Sequence, residues 1–488
     1  MSTINRKILF WQWPIVILLS LAVGLGMVML IQMSWIALLL FVSSLIFLFS
    51  MMLISDLKRF FLGFLVMTIP LGVDINFIHV FENQAGAATI GIALRDIFVL
   101  LLLAWWILDS HRRKGRVFRF TARLTLPAIL YFEACLITLL WAPRLDLASF
   151  ELVQMGKVLI LYFVVMNQLE DKSDVNLVVW SLVAAVAFQS SLAMLQMAAG
   201  RPLGLEFLGE MQVDLESGDQ LSRVGGTLGH PNRLAMFLEL LLPLCFAAFL
   251  VDKRPKWRMA AIIIFTVGMA AMIMTGSRGG WIAALGGMAL LFYFLIKRDH
   301  MKLTSVLKLA FLLFFILVIV FSIFSGQIIE RITGEDHGSA LSRIPMFQIA
   351  IEIIKDHPFG GLGINNYQEI MREYNNTYLG RLFSTIPRPV HNMYLLITGE
   401  TGFLGFAMFL WMLVALMRML IQTTRAADSF YSIISIALLG GLIGYLVHGL
   451  VDKHPPGGSP LFYLLMALAA GTFSLSGKNE STFDRGEK

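Results

Sequence analysis

Apolar runs of about 18 or more residues recur along this 488-residue chain from near its start to near its end. Runs of that length are membrane spans. In lipid the backbone must bond to itself, and a single apolar segment does so only as a helix. Charged residues make up 14% of the chain and hydrophobic ones 58%, where a soluble chain carries about a quarter charged. The fold class is therefore all-α, a polytopic membrane protein of about 12–14 transmembrane helices. Spans are expected near 13–31, 35–55, 60–78, 94–109, 124–142, 152–168, 175–198, 232–251, 258–275, 281–296, 306–325, 392–417, 430–451 and 459–475. Two of these are unusual: 60–78 ends in the polar "GVDIN", and 152–168 contains Lys157. Arg6 and Lys7 precede an apolar stretch too long for a signal-peptide core, so the first span is expected to be uncleaved. Cys135 and Cys245 fall inside apolar runs, which suggests no disulfide framework.

Basic residues orient the spans. With the N-terminus in the cytoplasm, "SDLKR", "HRRKGRVFRFTAR", "DKRPKWR", "KRDHMKLTSVLK" and the tail "GKNESTFDRGEK" share that side, which then holds 24 of the 38 Lys and Arg. This bias fits the positive-inside rule and puts both termini in the cytoplasm. The organisation expected is residues 1–325 as N-terminal spans, 326–391 as a large outer loop, and 392–488 as C-terminal spans with a short tail. A connector needs only a few residues, so a loop of that size reads as a folded cap. Within it "SRIPMFQIAIEIIKDHPF" has a helical apolar spacing at Ile344, Phe347, Ile351 and Ile354. "INNYQEIMREYNN" suits a second short helix, and "FGGLG" between them is a turn signal.

The outer basic residues are eleven Arg and three Lys, against thirteen Arg and eleven Lys inside. Lysine serves equally well for orientation, whereas the planar guanidinium fork grips phosphate or carboxylate with two parallel hydrogen bonds. An arginine-rich outer face therefore points to an anionic ligand. Four stretches concentrate candidate chemistry there. In "RVGGTLGHPNRLAMFLELLLPL", Pro231 fits a first helical turn, with Asn232 or the turn before it as the cap. Arg233 is then at the mouth of that helix and Glu239 about two turns deeper. In "TGSRGGW", small residues admit a close backbone or ligand around Arg278. In "RPVHNMYLLITGETGFLGF", His391 opens a span with Arg388 and Asn392 beside it. A helix N-terminus attracts anions, and a histidine there accepts a proton or bonds a phosphate. Glu400 lies nine residues on, where an acid needs a partner. No His pair at i,i+4, no His/Cys cluster and no GxxxxGK[ST] is visible, so neither a metal site nor an ATP-driven function is expected.

The order "GGTLGHPNRLA", "TGSRGGW", "SRIPMFQIAIEIIKDHPFGGLGINNY" and "HNMYLLITGETGFLG" resembles the O-antigen ligase / O-antigen polymerase family, over roughly Arg223 to Phe406. The resemblance implies a GT-C-type, inverting, metal-independent glycosyltransferase without cofactor, at the outer face of the bacterial inner membrane. Its donor would be a glycan on undecaprenyl pyrophosphate. Its acceptor would be a hydroxyl of lipid A-core, another lipid-linked glycan or a protein; no nucleic acid is implied. Carried over residue by residue, Arg278 would bind the donor pyrophosphate, together with Arg331 or Arg343, between which the resemblance does not choose. His391 would activate the acceptor or hold the leaving phosphate. Arg233 and Glu400 match less diagnostic positions. About fourteen spans exceeds the twelve of a typical ligase, which leaves the acceptor class open. The competing expectation is a transporter or flippase of an anionic solute. That class places charges near midplane on several helices and often repeats half its fold. Here most intramembrane charges lie in the outer half, Glu133 excepted, and no repeat is visible.

Overall fold

A computed structural model describes residues 56–79, 86–112, 119–211, 223–309, 343–374, 389–453 and 456–486, with single helical positions at 311, 315, 318 and 322. The chain divides into two units, Met1–Phe61 and Leu62–Lys488. In the first, the described residues are the opening turn of helix α1 (Leu57–Thr68). The second unit carries everything that follows.

The expected span at 60–78 is not one. Helix α1 stops at Thr68, two residues before Pro70, which has no N–H to extend it. The next residues alternate as "DINFIH" and form strand β1 (Asp74–His79), antiparallel to β2 (Thr89–Ala93). Helix α2 (Leu94–Arg112) follows directly, with Asp96 accepting the Ala93 N–H at 3.1 Å. Lys157, the cation inside the expected span at 152–168, points to this corner. Its Nζ bonds to the Gly91 carbonyl and, at 2.8 Å, to Asp96. Pairing relieves the cost of a charge in a span.

Among the described residues nine helices are long and apolar enough to cross a membrane. They are α3 (Ala122–Ile137, extended by a 3₁₀ turn to Leu140), α4 (Leu145–Gln168), α5 (Lys172–Ala199), α6 (Pro231–Val251), α7 (Pro255–Met274), α8 (Arg278–Lys297), α11 (Met393–Thr423), α12 (Ser429–His448) and the Pro460–Gly477 part of α13 (Pro460–Gly486). Each coincides with an expected span, so the chain is an all-α polytopic membrane protein. Spans expected at 13–31 and 35–55, and nearly all of 306–325, lie outside the described residues.

Side-chain caps set several boundaries: Asp171 for α5, His230 for α6, Ser277 for α8, Asn392 for α11 and Asp428 for α12. Helices α6 and α12 occupy the interior, with 83% of each apolar stretch buried against 39% for α7, α8 and α11. Helices α8 and α12 approach at Gly287 and Gly440, where a Cβ on Gly440 would sit 2.7 Å from the Gly287 carbonyl oxygen. Small residues permit this approach, and dispersion between backbones then stabilises it.

Between α8 and α11 lie α9 (Arg343–Asp356) and α10 (Tyr367–Tyr374). Both expected short helices are present, but the packed face of α9 differs from the expected one. Ile349, Ala350 and Ile353 are buried against Leu362, Tyr367, Met371, Val390 and Leu396, while Ile344 and Ile351 are exposed. Helix α9 is apolar on more than one side, so spacing alone does not say which side meets the bundle.

The turn between them, residues 357–366, docks into a break in α11. Gly402 has φ 65° and ψ −174°, a conformation open essentially only to glycine. The N–H groups of Leu362 and Gly363 bond to the carbonyls of Gly399 and Glu400, both at 2.9 Å, and Phe403 N–H bonds to Pro358 O at 2.7 Å. Asn366 and Trp141 tie the same turn to the α3–α4 connection, through Arg144 N (2.8 Å) and Gly361 O (3.0 Å). A Cβ on Gly402 would collide with the Phe359 carbonyl. Gly402→Ala is therefore expected to destabilise the protein by at least about 2 kcal/mol, from strain plus clash. Thermal unfolding in detergent checks this. Gly286→Ala is the control: it meets nothing within 4 Å on α8, and is expected to be neutral or slightly stabilising.

Candidate functional site

Three sequence stretches read separately meet at one end of the bundle. Asn392 caps α11, accepting the Leu395 N–H at 2.9 Å, and its Nδ2 reaches Leu450 O at 3.0 Å. Met393 N–H bonds to Gly449 O at 2.8 Å. These bonds fasten the start of α11 to the end of α12 and bring His391, immediately before the cap, beside Asp452. The gap from His391 Nδ1 to Asp452 Oδ1 is 3.8 Å. His391 Nδ1 has no hydrogen-bond partner among the described residues. The His391 side chain is 28% exposed and that of Asp452 only 2%, so one edge of the imidazole is open while the carboxylate is enclosed.

Asp452 is held from the other side. Asn232 Nδ2 donates to Asp452 Oδ2 at 2.7 Å, and Asn232 Oδ1 accepts from Arg223 Nη2 at 2.8 Å. Arg223 Nε in turn donates to the carbonyl of Thr275, which begins "TGSRGGW", at 2.8 Å. Asn232 thus bridges rather than caps, and the cap of α6 is His230. Two glutamines of α5 secure the approach to Arg223: Gln196 accepts the Gly226 N–H (2.9 Å), and Gln189 accepts the Thr227 N–H (3.1 Å).

Below this layer His448, the last residue of α12, lies between two acids. Its Nδ1 is 2.8 Å from Glu239 Oε2 and its Nε2 is 3.8 Å from Asp452 Oδ2. Its ring also abuts "SRGG": a Cβ on Gly279 would stand 3.0 Å from His448 Cδ2 and 2.8 Å from Val451 Cγ2. Arg278 is the exposed first residue of α8, on that same turn, whose cap Ser277 accepts the Gly280 N–H at 3.3 Å.

Cations crowd this end. The charge of Arg343, at the start of α9, acts on His448, and those of Arg233 and Asp452 act on each other. Partial burial and then the charge of Arg223, reinforced by Arg233 and Lys453, push the His230 imidazole down to about 4. His230 is therefore neutral at pH 7. Arg223, Arg233 and Lys453 thus surround this imidazole with positive charge, countered in part by Asp452.

The structure thus brings His391, Asn392, Arg233, Arg278 and Arg343 to one end of the bundle. Arg331 and Arg388 lie outside the described residues. Glu400 is elsewhere, in the break of α11, where it accepts the Tyr367 N–H at 3.4 Å. It lines a small cavity with Glu151, Tyr131, Asn365 and Ile364, and no described contact joins it to His391. His448 and Asp452 were not singled out in the sequence, although "LVHGLVDKH" carries the signal, a histidine and an aspartate four apart at the end of a span. Among the described residues no group of three or more His, Cys, Asp or Glu is placed to hold a metal ion.

Residues 259–410 match the family model Wzy_C, described as O-antigen ligase. The match takes in Arg278, Arg343, His391 and Glu400; Arg223, Arg233, Glu239, His448 and Asp452 lie outside it. No curated protein matches the chain.

Proposed function

We propose that this chain, which matches the O-antigen ligase family model over residues 259–410, transfers a glycan from an undecaprenyl-pyrophosphate carrier to an acceptor hydroxyl at the membrane face where His391 and the arginines meet. That match supports glycosyl transfer in general. The observation that carries the finer reading is His391 facing the enclosed carboxylate of Asp452 at 3.8 Å, with the charge of Arg233 acting on the same carboxylate.

Asp452 favours a proton on His391 Nδ1 and leaves Nε2 to take a proton from the acceptor hydroxyl. Resting gaps of this kind tighten when substrate fills the site. The acceptor oxygen then attacks the anomeric carbon from the side opposite the leaving group, so configuration inverts. As the glycosidic C–O bond breaks, its electrons pass to the pyrophosphate. Arg278 and Arg343, with Arg233 nearby, supply fixed positive charge where that negative charge develops. In this scheme the guanidinium groups do the work that a metal ion does in other phosphate sites. The positive-inside bias supports this face lying on the outer side of the membrane, with both termini in the cytoplasm.

The test uses membranes from the source organism carrying only the variant protein, with the extracted lipid-linked glycan fraction as donor. Asp452→Asn should lower the transfer rate by about 10²-fold or more, through a misoriented base. Full activity would remove Asp452 from the mechanism. Gly279→Ala tests the packing of the arginine turn. Its added methyl meets His448 and Val451, so transfer is expected to fall by about tenfold, the effect of a sub-ångström misplacement. Unchanged transfer would show that this close approach has no part in the reaction.

A further inference from the structure

We propose that the buried Glu239–His448 pair is a positioning device for the reaction, holding Asp452 so that one carboxylate oxygen stays aimed at His391. The inference rests on the glycan-transfer reading above.

The two oxygens of Asp452 have separate environments. Oδ1 accepts the Lys453 N–H at 2.6 Å and faces His391 Nδ1. Oδ2 accepts from Asn232 at 2.7 Å and faces His448 Nε2 at 3.8 Å. One oxygen thus serves the histidine at the rim, and the other is fixed from inside the bundle. Asp452 stands in the connection after α12, where backbone packing alone leaves a carboxylate free to rotate. His448, on the last turn of α12 and four residues earlier, adds an imidazole at 3.8 Å to the hydrogen bond that Asn232 makes with the same oxygen.

His448 is itself fixed. Its Nδ1 is 2.8 Å from Glu239, both side chains are at most 2% exposed, and they stand on α12 and α6, the most buried of the described spans. A carboxylate thus stands opposite each ring nitrogen of His448, at 2.8 and 3.8 Å. A buried ion pair is a poor means of stabilising a bundle, because desolvation offsets its attraction and apolar residues would pack as well. Its place between the helix core and Asp452 suits orientation instead, as outer partners orient a catalytic imidazole in other sites. The contact of Gly279 with the His448 ring adds a consequence. The arginine turn and Asp452 both lie against the His448 side chain, so donor and acceptor sites share one reference point.

His448→Gln and Glu239→Gln keep side-chain size while removing the charge pair. With the same membranes and the extracted lipid-linked glycan as donor, kcat is expected to fall about 10–100-fold in each, with the donor KM nearly unchanged. A second variant guards against misfolding of the first, and detergent unfolding temperatures close to that of the parent protein confirm the fold. In an Asp452→Asn background, His448→Gln should cost little more, because residues acting as one unit are not additive. Undiminished kcat in both variants, a loss in KM alone, or an equal further loss in the Asp452→Asn background would overturn the positioning role. If His391→Ala and Asp452→Asn also turn over normally, the transfer reading falls and this inference falls with it. If those two fail while the pair variants work, only the positioning role is lost.

Discussion

His391→Ala is expected to lower glycan transfer by about 10²–10⁴-fold while leaving insertion and unfolding temperature unchanged. The separation of effects follows from where the residue stands. His391 precedes the cap of α11, and the helix start is held by Asn392 and Met393, not by the imidazole. Removing the ring leaves those bonds in place. It also leaves Asp452 with Asn232 and the Lys453 N–H, so no buried charge is orphaned. What disappears is the partly exposed ring, the group proposed to take the acceptor proton. His391→Gln keeps a hydrogen-bonding side chain but no base near neutrality, and is expected to be nearly as inactive. If His391→Gln retained most of the activity, the residue would hold phosphate rather than move a proton. Rates of transfer to a fixed acceptor, normalised to protein in the membrane, decide the matter.

Arg278→Ala is expected to cost about 10²–10³-fold in transfer, the loss typical of removing one preorganised donor from a developing anion. Arg278 is the exposed first residue of α8, so its charge adds to the positive end of the helix dipole. Arg278→Lys keeps the charge but not the planar fork and is expected to recover only part of the loss. Arg343→Ala should weaken transfer in the same sense, through the charge that already reaches His448. Inorganic pyrophosphate supplies an independent readout as a competing anion. It should inhibit the parent protein and inhibit Arg278→Ala markedly less. Equal inhibition of both would place the anion elsewhere on the rim.

The spans were legible because length and apolarity are enough to require a helix in lipid, whatever its neighbours. Where that argument weakens, so did the expectation. Residues 60–78 are apolar enough in sum, but Pro70 and the alternating "DINFIH" divide them into a short helix and a strand. Helix α9 was expected where it is, with a different face packed, because the face depends on Leu362, Tyr367 and Val390 approaching from other segments.

The site divides the same way. Arg278 and His391 were visible as a cation and an imidazole at the ends of spans, where membrane segments rarely hold them without use, and Arg343 as an arginine of the outer loop. Their partners were not. Asp452 matters because the bonds of Asn392 and Met393 fold the end of α12 back onto α11, and His448 because Glu239 lies opposite it on another helix. Glu400 shows the converse. It looked like a companion of His391 nine residues away, but the break at Gly402 and the docked turn enclose it with Tyr367 and Asn365 instead.

The most direct measurement follows the bond between glycan and carrier. The purified protein in liposomes is supplied with the extracted lipid-linked glycan and a membrane extract containing the acceptor. Free carrier pyrophosphate and transferred glycan are then counted together. The account predicts that they appear one for one with the parent protein, and that both disappear with His391→Ala. Glycan-lipid that crosses the bilayer with its pyrophosphate bond intact, equally well with either protein, would contradict it and make the chain a transporter.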